Sequence, residues 1–249
     1  MKKIPFENSM YVFATFAAVG GFLEAYTYLL YGGVFCNAQT GNLVLLTLRL
    51  FEGSFADAAH YLYSILAYLA GIFVSAVMAD LFKNNRPHLI VTGIEIVAFT
   101  ALSFIPARAS DWYTYVSVAF LCALQYNIFT ECRGAALSTT FCTNNMRQAA
   151  LNLYRGAKSK DGEKLKKSGI YALVILFFAA GAAIGGLSSP YLGNDSILLC
   201  AAALVPVFIL LAVFGNKKPP EKADRTLSSD NFTKQKNAAE WGGAAISFL

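Results

Sequence analysis

Six long apolar runs constrain this chain more than any other feature of its sequence. Each run contains 18 to 22 residues: Tyr11–Gly32, Tyr61–Leu81, Leu89–Pro106, Trp112–Thr130, Gly169–Pro190 and Ser196–Phe214. About 20 helical residues, each rising about 1.5 Å, span the hydrocarbon core of a bilayer, and a helix satisfies its own backbone there. Only 14% of the residues are charged, against about 25% in soluble domains. The sequence therefore predicts an all-α integral membrane protein with six transmembrane helices.

The positive charges predict how these helices are oriented. Two of the 20 lysines and arginines precede the first run, two lie between the second and third, eight between the fourth and fifth, and six follow the sixth. Only Arg49 and Arg108 lie in the other connections. Because positive residues collect on the cytoplasmic side, we expect a multi-pass protein with both termini in the cytoplasm. The net charge of +5 is then a topology signal, and no nucleic-acid partner is expected.

A weak internal repeat relates the two halves of the chain. A shift of 103 residues places the segment 38–43 (AQTGNL) on 141–146 (FCTNNM), and Glu24 on Asn127. Each half contains three apolar runs, so the second half must enter the membrane upside down. We predict two inverted three-helix repeats, residues 1–107 and 108–215, and a disordered cytoplasmic tail, residues 216–249. Inverted repeats are common in secondary transporters, whose binding sites lie at the repeat interface near the bilayer midplane.

A polar break follows the first run of each half. The apolar segments after the breaks, Asn42–Phe51 and Asn145–Tyr154, hold ten residues each, which is too short for a crossing. We predict a short broken or re-entrant helix in each half, within segments 37–51 and 140–154. Thr40 and Thr143 are the expected N-caps, which would leave the positive helix ends facing a central cavity. Loops at the membrane interface are the alternative.

Glu24 is the most informative polar residue, because it is the 14th residue of a 22-residue run. An ionisable side chain at such depth costs about 3 kcal/mol on insertion scales, so it faces the protein interior or water. It is either a carrier of protons or cations, or a structural group that accepts hydrogen bonds from a broken helix. Glu95 in the third run is expected to pair with a lysine or arginine. The predicted substrate-binding residues are Glu24, Asn37, Gln39, Thr40, Gly41, Asn42, Gln125, Asn127, Thr143, Asn144 and Asn145.

Several other classes of protein lack support in the sequence. The five cysteines form no C-x-x-C pair and only two histidines are present, so no metal site is expected. No nucleotide-binding motif occurs, so no cofactor is expected. No nucleophile stands beside a base, so we expect no enzymatic activity. Gly181 and Gly185 form a G-x-x-x-G pair, which permits close helix packing within the monomer or across a homodimer.

The segments Gly20–Tyr26 (GGFLEAY), Gly33–Phe35 (GVF) and Ala38–Leu43 (AQTGNL) resemble the YoaK-like family of bacterial membrane proteins. Members of that family carry a G-F-[DE]-A-like stretch followed by a T-G-N motif. Here Glu24 stands where many members have Asp, and Thr143-Asn144-Asn145 stands where a Thr-Gly pair is more typical. The resemblance covers about residues 10–215 and implies a polytopic protein of the bacterial inner (plasma) membrane. The family is a domain of unknown function, so the resemblance implies no substrate.

These features favour a secondary transporter, or a transporter-like channel, for a small polar or anionic solute. Its partners would be membrane lipid and the solute, and Glu24 would couple transport to protons. Two alternatives remain open. The first is a structural or regulatory membrane subunit that transports nothing, and the second is a lipid-handling membrane protein.

Overall fold

The structure is a computed structural model that describes residues 4–82, 86–105, 112–139 and 142–215. The predicted disordered tail, residues 216–249, lies outside the described residues. The predicted boundary between the two halves, at residues 107 and 108, lies outside them as well.

Within the described residues the chain forms eight α-helices and one short hairpin. The helices are α1 (Met10–Leu30), α2 (Gln39–Phe51), α3 (Phe55–Leu81), α4 (Arg86–Ser103), α5 (Trp112–Ile128), α6 (Cys142–Ser159), α7 (Gly162–Leu192) and α8 (Leu198–Phe214). Short 3-10 turns cover Phe6–Asn8 and Gly193–Ile197. The six predicted runs correspond to α1, α3, α4, α5, α7 and α8.

Polar caps explain why some helices begin before their apolar runs. The Asp161 side chain accepts hydrogen bonds from the backbone N–H groups of Glu163 (3.0 Å) and Lys164 (3.3 Å). These bonds satisfy donors that a helix start leaves open, so α7 begins well before its apolar run. At the other end of α1, Gly32 and Gly33 adopt positive φ values of 70° and 78°, which glycine tolerates and which ends the helix.

The fold is mostly helical, as predicted, and a short two-stranded hairpin follows α5. Its strands, β1 (Glu131–Cys132) and β2 (Ala135–Ala136), pair antiparallel. Arg133 and Gly134 form the turn with φ values of 48° and 79°, and the Arg133 N–H donates to the carbonyl of Asn8 (3.1 Å). Strands of two residues are too short to produce the alternating pattern by which a sequence reveals β-structure.

Helices of the first half of the chain pack against helices of the second half. Helix α1 packs against α7, α3 packs against α5, and α4 packs against α8, while α2 lies on α3 and α6 lies on α7. A Cβ atom on Gly181 would lie 1.9 Å from the carbonyl oxygen of Ala18, and one on Gly185 would lie 2.7 Å from that of Phe22. The G-x-x-x-G pair therefore serves the contact between α7 and α1 within the chain.

The distribution of apolar and polar side chains is that of a protein in lipid. Large apolar side chains such as Phe73 and Leu187 are each 71% exposed, while Ser64 and Ser75 are completely buried. By length and composition, three of the described segments can cross a membrane: Met10–Leu30, Phe55–Leu81 and Gly162–Phe214, the last of which contains both α7 and α8. Helices α4 and α5, with 18 and 17 residues, stand at the lower limit of span length.

Candidate functional site

Glu24 on α1 is bound by the linker that leads into α2. Its Oε1 atom accepts a hydrogen bond from the N–H of Ala38 (3.0 Å), and its Oε2 atom accepts bonds from the N–H of Asn37 (2.8 Å) and from the Cys36 thiol (3.2 Å). The two-glycine turn after α1 folds the linker back along the helix, which brings these donors to the carboxylate. Glu24 therefore holds the start of the broken segment against the first span.

The Asn42 side chain stabilises the first turn of α2 by binding backbone groups of the linker that precedes the helix. Its Oδ1 atom accepts from the N–H of Phe35 (3.0 Å), and its Nδ2 atom donates to the carbonyl of Phe35 (2.6 Å). The Oε1 atom of Gln39 and the Oγ atom of Ser64 lie 2.9 and 3.2 Å from the same nitrogen. The fully buried amide thus ties α2 to the linker and to α3.

Asn145 makes the same pair of bonds in the second half of the chain. Its Oδ1 atom accepts from the N–H of Ser138 (3.4 Å), and its Nδ2 atom donates to the carbonyl of Ser138 (2.6 Å). Asn42 and Asn145 are the residues that the 103-residue shift aligns, and Phe35 and Ser138 are separated by the same shift. The two asparagines thus make matching hydrogen bonds with a backbone residue seven positions earlier.

The side-chain amides of Asn37 and Gln125 donate hydrogen bonds to backbone carbonyls on neighbouring turns of α1. The Asn37 Nδ2 atom donates to the carbonyl of Gly20 (3.2 Å), whereas the Gln125 Nε2 atom donates to the carbonyl of Phe16 (3.3 Å) and the hydroxyl of Thr139 (2.9 Å). The Oδ1 atom of Asn37 and the Oε1 atom of Gln125 are buried and accept no hydrogen bond from the described residues. Buried acceptors are seldom left open, because each costs about 1–3 kcal/mol.

The prediction that Thr40 and Thr143 are helix N-caps is wrong. The N-cap of α2 is Ala38, which offers no side-chain bond, and Thr40 is the second residue of the helix and is exposed. Thr143 is likewise the second residue of α6 and exposed. In the first half, Glu24 already binds the N–H groups of Asn37 and Ala38, and the helix starts directly after them.

The predicted site residues consequently divide into two sets. Four of them are joined by hydrogen bonds around the start of α2: Glu24, Asn37, Gln39 and Asn42. Gln125, on α5, binds α1 one turn away from the carbonyl that the Asn37 amide binds. The others do not join them through the described contacts. Asn145 binds Ser138, a Cβ added to Gly41 would meet the ring of Phe35, Asn127 is half-buried, and Asn144 is exposed like the two threonines. Residues 140 and 141, which the repeat aligns with Asn37 and Ala38, lie outside the described residues.

The expected ion pair of Glu95 is also wrong. Both of its carboxyl oxygens are buried and have no hydrogen-bond partner among the described residues. The ion pairs of the described part of the chain lie at exposed positions: Arg49–Glu52, Lys164–Asp161 and Lys166–Glu163. Glu95 lies near the middle of α4, which packs against α8.

Three polar residues of the bundle interior were missed from the sequence. Cys36 donates to Glu24, and Ser64 donates to the carbonyl of Phe35 (3.1 Å). Asn194, in the turn between α7 and α8, accepts hydrogen bonds from the hydroxyls of Tyr26 and Tyr31 and donates to carbonyls at the end of α4. A polar residue between two apolar runs was the available signal for Asn194, and Ser64 offered none.

Two cavities lie away from Glu24. One, of about 730 Å³, lies between α1, α7 and α8 and has apolar walls that include Ala14, Phe22 and Phe177. The other, of about 510 Å³, lies between α2, α3 and α5 and includes Arg49 and Trp112. None of the predicted site residues lines either cavity.

The apolar helices, the lipid-type surface and the fully buried carboxyl of Glu95 together define a helical membrane protein. The chain belongs to the family described as "Protein of unknown function (DUF1275)", which matches residues 12–211. It is similar to the UPF0700 transmembrane protein YoaK of Bacillus subtilis (strain 168), with 24% identity over 180 residues that cover 68% of this chain and 79% of that protein. The YoaK-like resemblance is thus confirmed. No solved structure matches the chain.

Proposed function

We propose that the protein is a secondary transporter, or a transporter-like channel, of a bacterial plasma membrane for a small polar solute that donates hydrogen bonds. The observation that carries the proposal is the pair of open, buried amide oxygens on Asn37, whose N–H binds Glu24, and on Gln125, which binds α1 at Phe16. Intramembrane polar groups of this kind commonly mark the pathways of solutes and protons. A solute with hydroxyl, amide or amine hydrogens would supply the donors that these oxygens lack.

An inverted repeat would supply the conformational change. The element order of α1 to α4 recurs in α5 to α8, with a break and a helix outside the six apolar runs in second place, and Asn42 and Asn145 make matching bonds. If α1, α3, α4, α5, α7 and α8 each cross the membrane, the second repeat is inverted relative to the first. Rocking of one repeat against the other would then give alternating access. With cytoplasmic termini, α2 and α6 would enter from opposite faces.

The described contacts favour a hydrogen-bond donor over an anion. The N–H groups that precede α2 are already bound by the Glu24 carboxylate, which occupies the place that a solute anion would take. Arg147, which would favour an anion at the start of α6, is exposed. The open groups on Asn37 and Gln125 are acceptors, so a neutral or cationic polar solute fits them better.

Protonation of Glu24 would couple the solute to the proton gradient. A carboxylate accepts at both oxygens, whereas a carboxylic acid carries a hydrogen on one of them. Proton binding would therefore weaken the bonds to Asn37 and Ala38 and release the start of α2 from α1. The proton would be lost again when the linker returns to the carboxylate.

The test is transport by purified protein in proteoliposomes across a panel of small polar solutes and several pH values. Charged solutes are followed by solute-jump currents and neutral solutes by radiolabel uptake. We expect transport of at least one donor solute, with a pH dependence that Glu24→Gln removes. The control Glu131→Gln, at an exposed site, keeps the native profile. No uptake of any solute by folded native protein would refute the proposal.

A structural or regulatory subunit without transport is the second candidate. The fact that favours it is that both oxygens of Glu24 already have partners. Reaction of the buried Cys36 thiol with a small methanethiosulfonate reagent distinguishes the two candidates, because Cys36 contacts Glu24. In a transporter, Cys36 should become exposed during the transport cycle and its thiol should react at a measurable rate. In a rigid subunit, the thiol should stay protected until the protein unfolds.

A further inference from the structure

We propose that the cavity between α2, α3 and α5 binds an organic ammonium group, carried by a small soluble amine or by a lipid headgroup. The cavity has a volume of about 510 Å³ and lies beyond the end of α1, where Gly32 forms part of its wall. Glu24 does not line it, so ammonium binding at this position does not require Glu24 to carry protons.

The walls of the cavity are predominantly aromatic. Tyr61 and Tyr115, at 5% and 0% exposure, form a buried floor, whereas Tyr63 and Trp112, at 47% and 54%, stand at the exposed side. The rings of Tyr63 and Trp112 have centroids 6.2 Å apart. A cation is attracted to the face of a Trp or Tyr ring within about 6 Å, and aromatic cages recognise quaternary ammonium groups in this way.

The charges around the cavity leave a negative group without a counterion. The Arg49 guanidinium is paired with Glu52 at 2.8 Å and lies beside the Tyr61 hydroxyl. Asp57 lines the same cavity and has no ion pair with any described residue. His60 uses its Nε2 atom in a hydrogen bond with the carbonyl of Tyr31 (2.8 Å). Asp57, an exposed residue in the first turn of α3, is therefore the carboxylate of the cavity wall without an ion-pair partner among the described residues, which favours a cationic ligand.

Tyr115 lines the buried side of the cavity, and its hydroxyl is enclosed by the protein. It is buried and has no hydrogen-bond partner among the described residues, although its ring packs on His60 with centroids 4.3 Å apart. The contribution of Tyr115 to the site is therefore its aromatic ring, which would surround the cation together with the other rings of the wall.

Trp112 provides a direct optical reporter of binding. The chain has two tryptophans, and Trp241 lies outside the described residues, so Trp241→Phe leaves Trp112 as the single indole. In detergent-solubilised protein carrying this change, we would titrate choline, its neutral isostere 3,3-dimethylbutan-1-ol and the anion 3,3-dimethylbutanoate. We expect saturable quenching by choline that the alcohol and the anion do not reproduce.

Asp57→Asn should weaken choline binding about tenfold, and Asp57→Glu should restore most of it. Asp80→Asn is the matched control, since Asp80 is an exposed aspartate at the other end of α3. The melting temperature of each variant verifies that it is folded. Equal responses to choline and the alcohol, a preference for the anion, no saturable response, or full binding by folded Asp57→Asn would each overturn the proposal.

The same quenching of Trp112 fluorescence distinguishes a soluble amine from a lipid headgroup as the carrier of the ammonium group. Quenching by free choline or methylammonium assigns a soluble amine. Quenching by a short-chain ethanolamine phospholipid, but by neither free amine, assigns a lipid headgroup, with short-chain phosphatidylglycerol as the lipid control. An equal response to both lipids would contradict recognition of the ammonium group.

Discussion

At the scale of single residues, buried side chains replace the backbone partners that a broken helix loses. Asn42 and Asn145 each bind both polar groups of one backbone residue seven positions earlier. Glu24 binds the two N–H groups that precede α2. In a bilayer no water reaches such groups, so each break needs a side chain that matches it.

We expect Asn42→Ala and Asn145→Ala to lower the free energy of unfolding by similar amounts, about 1–3 kcal/mol each. Each substitution leaves a buried N–H and a buried carbonyl without their partner. Denaturant unfolding in detergent, followed by fluorescence, measures the change. Thr40→Ala and Asn144→Ala, at exposed positions of the same helices, should change it little. A large loss in only one of the two asparagine variants would contradict the structural equivalence of the breaks.

The Asp161 cap makes the stability of the first turn of α7 depend on pH. The Lys164 side chain, which pairs with this carboxylate at 3.1 Å, and the backbone N–H of Lys164 lower the pKa of Asp161 from its usual value. The carboxylate cap is therefore fully present above the ordinary aspartate pKa of about 3.9 and is lost as the pH falls through the lowered value. Hydrogen exchange at Glu163 and Lys164 should accelerate in that acid range.

The matched variant for this cap is Asp161→Ser, which can still accept from the backbone but does not titrate. Its first helical turn should be protected to a similar degree at all pH values, whereas Asp161→Ala should lose protection throughout. An unchanged acid response in Asp161→Ser would assign the pH dependence to another group.

At the scale of helices, close approach between α1 and α7 holds the bundle together. Gly21, Gly181 and Gly185 lie where any added Cβ would meet backbone atoms of the other helix. Backbone atoms cannot move aside as a flexible side chain can, so the two helices would have to separate.

We expect Gly181→Ala to lower the free energy of unfolding by about 1–3 kcal/mol or more, because its Cβ would lie 1.9 Å from the carbonyl oxygen of Ala18. Gly186→Ala, five residues along the same helix, meets no atom within 4 Å and serves as the control. Thermal unfolding in detergent compares the two variants. Equal melting temperatures would show that α1 and α7 are not in the close contact described.

At the scale of the whole molecule, the orientation in the membrane determines which loops face the cell exterior. If both termini are cytoplasmic and α2 does not cross, the connection between α2 and α3 lies outside and that between α6 and α7 lies inside. Glu52 and Ser159 are exposed residues next to these connections, while four of the five native cysteines are buried.

We expect Glu52→Cys to react with a membrane-impermeant maleimide in intact cells and Ser159→Cys to react only after permeabilisation. The native chain measures labelling of its own cysteines and is the control. Labelling of Ser159→Cys in intact cells, with Glu52→Cys protected, would reverse the proposed orientation.

The sequence by itself determined the helical class of the protein, because an apolar run of this length has one stable form in a bilayer. It also singled out Glu24 and aligned Asn42 with Asn145, whose bonds match in the structure, since depth in a run and alignment at a fixed shift are local properties. Only the tertiary structure decided which donors bind Glu24, that Thr40 and Thr143 are exposed, and that Glu95 has no ion pair with any described residue. Asn194 is the clearest case, because it binds Tyr26 across 168 positions and Leu102 across 92. Contacts at such separations depend on how the helices pack, and no local pattern encodes that packing.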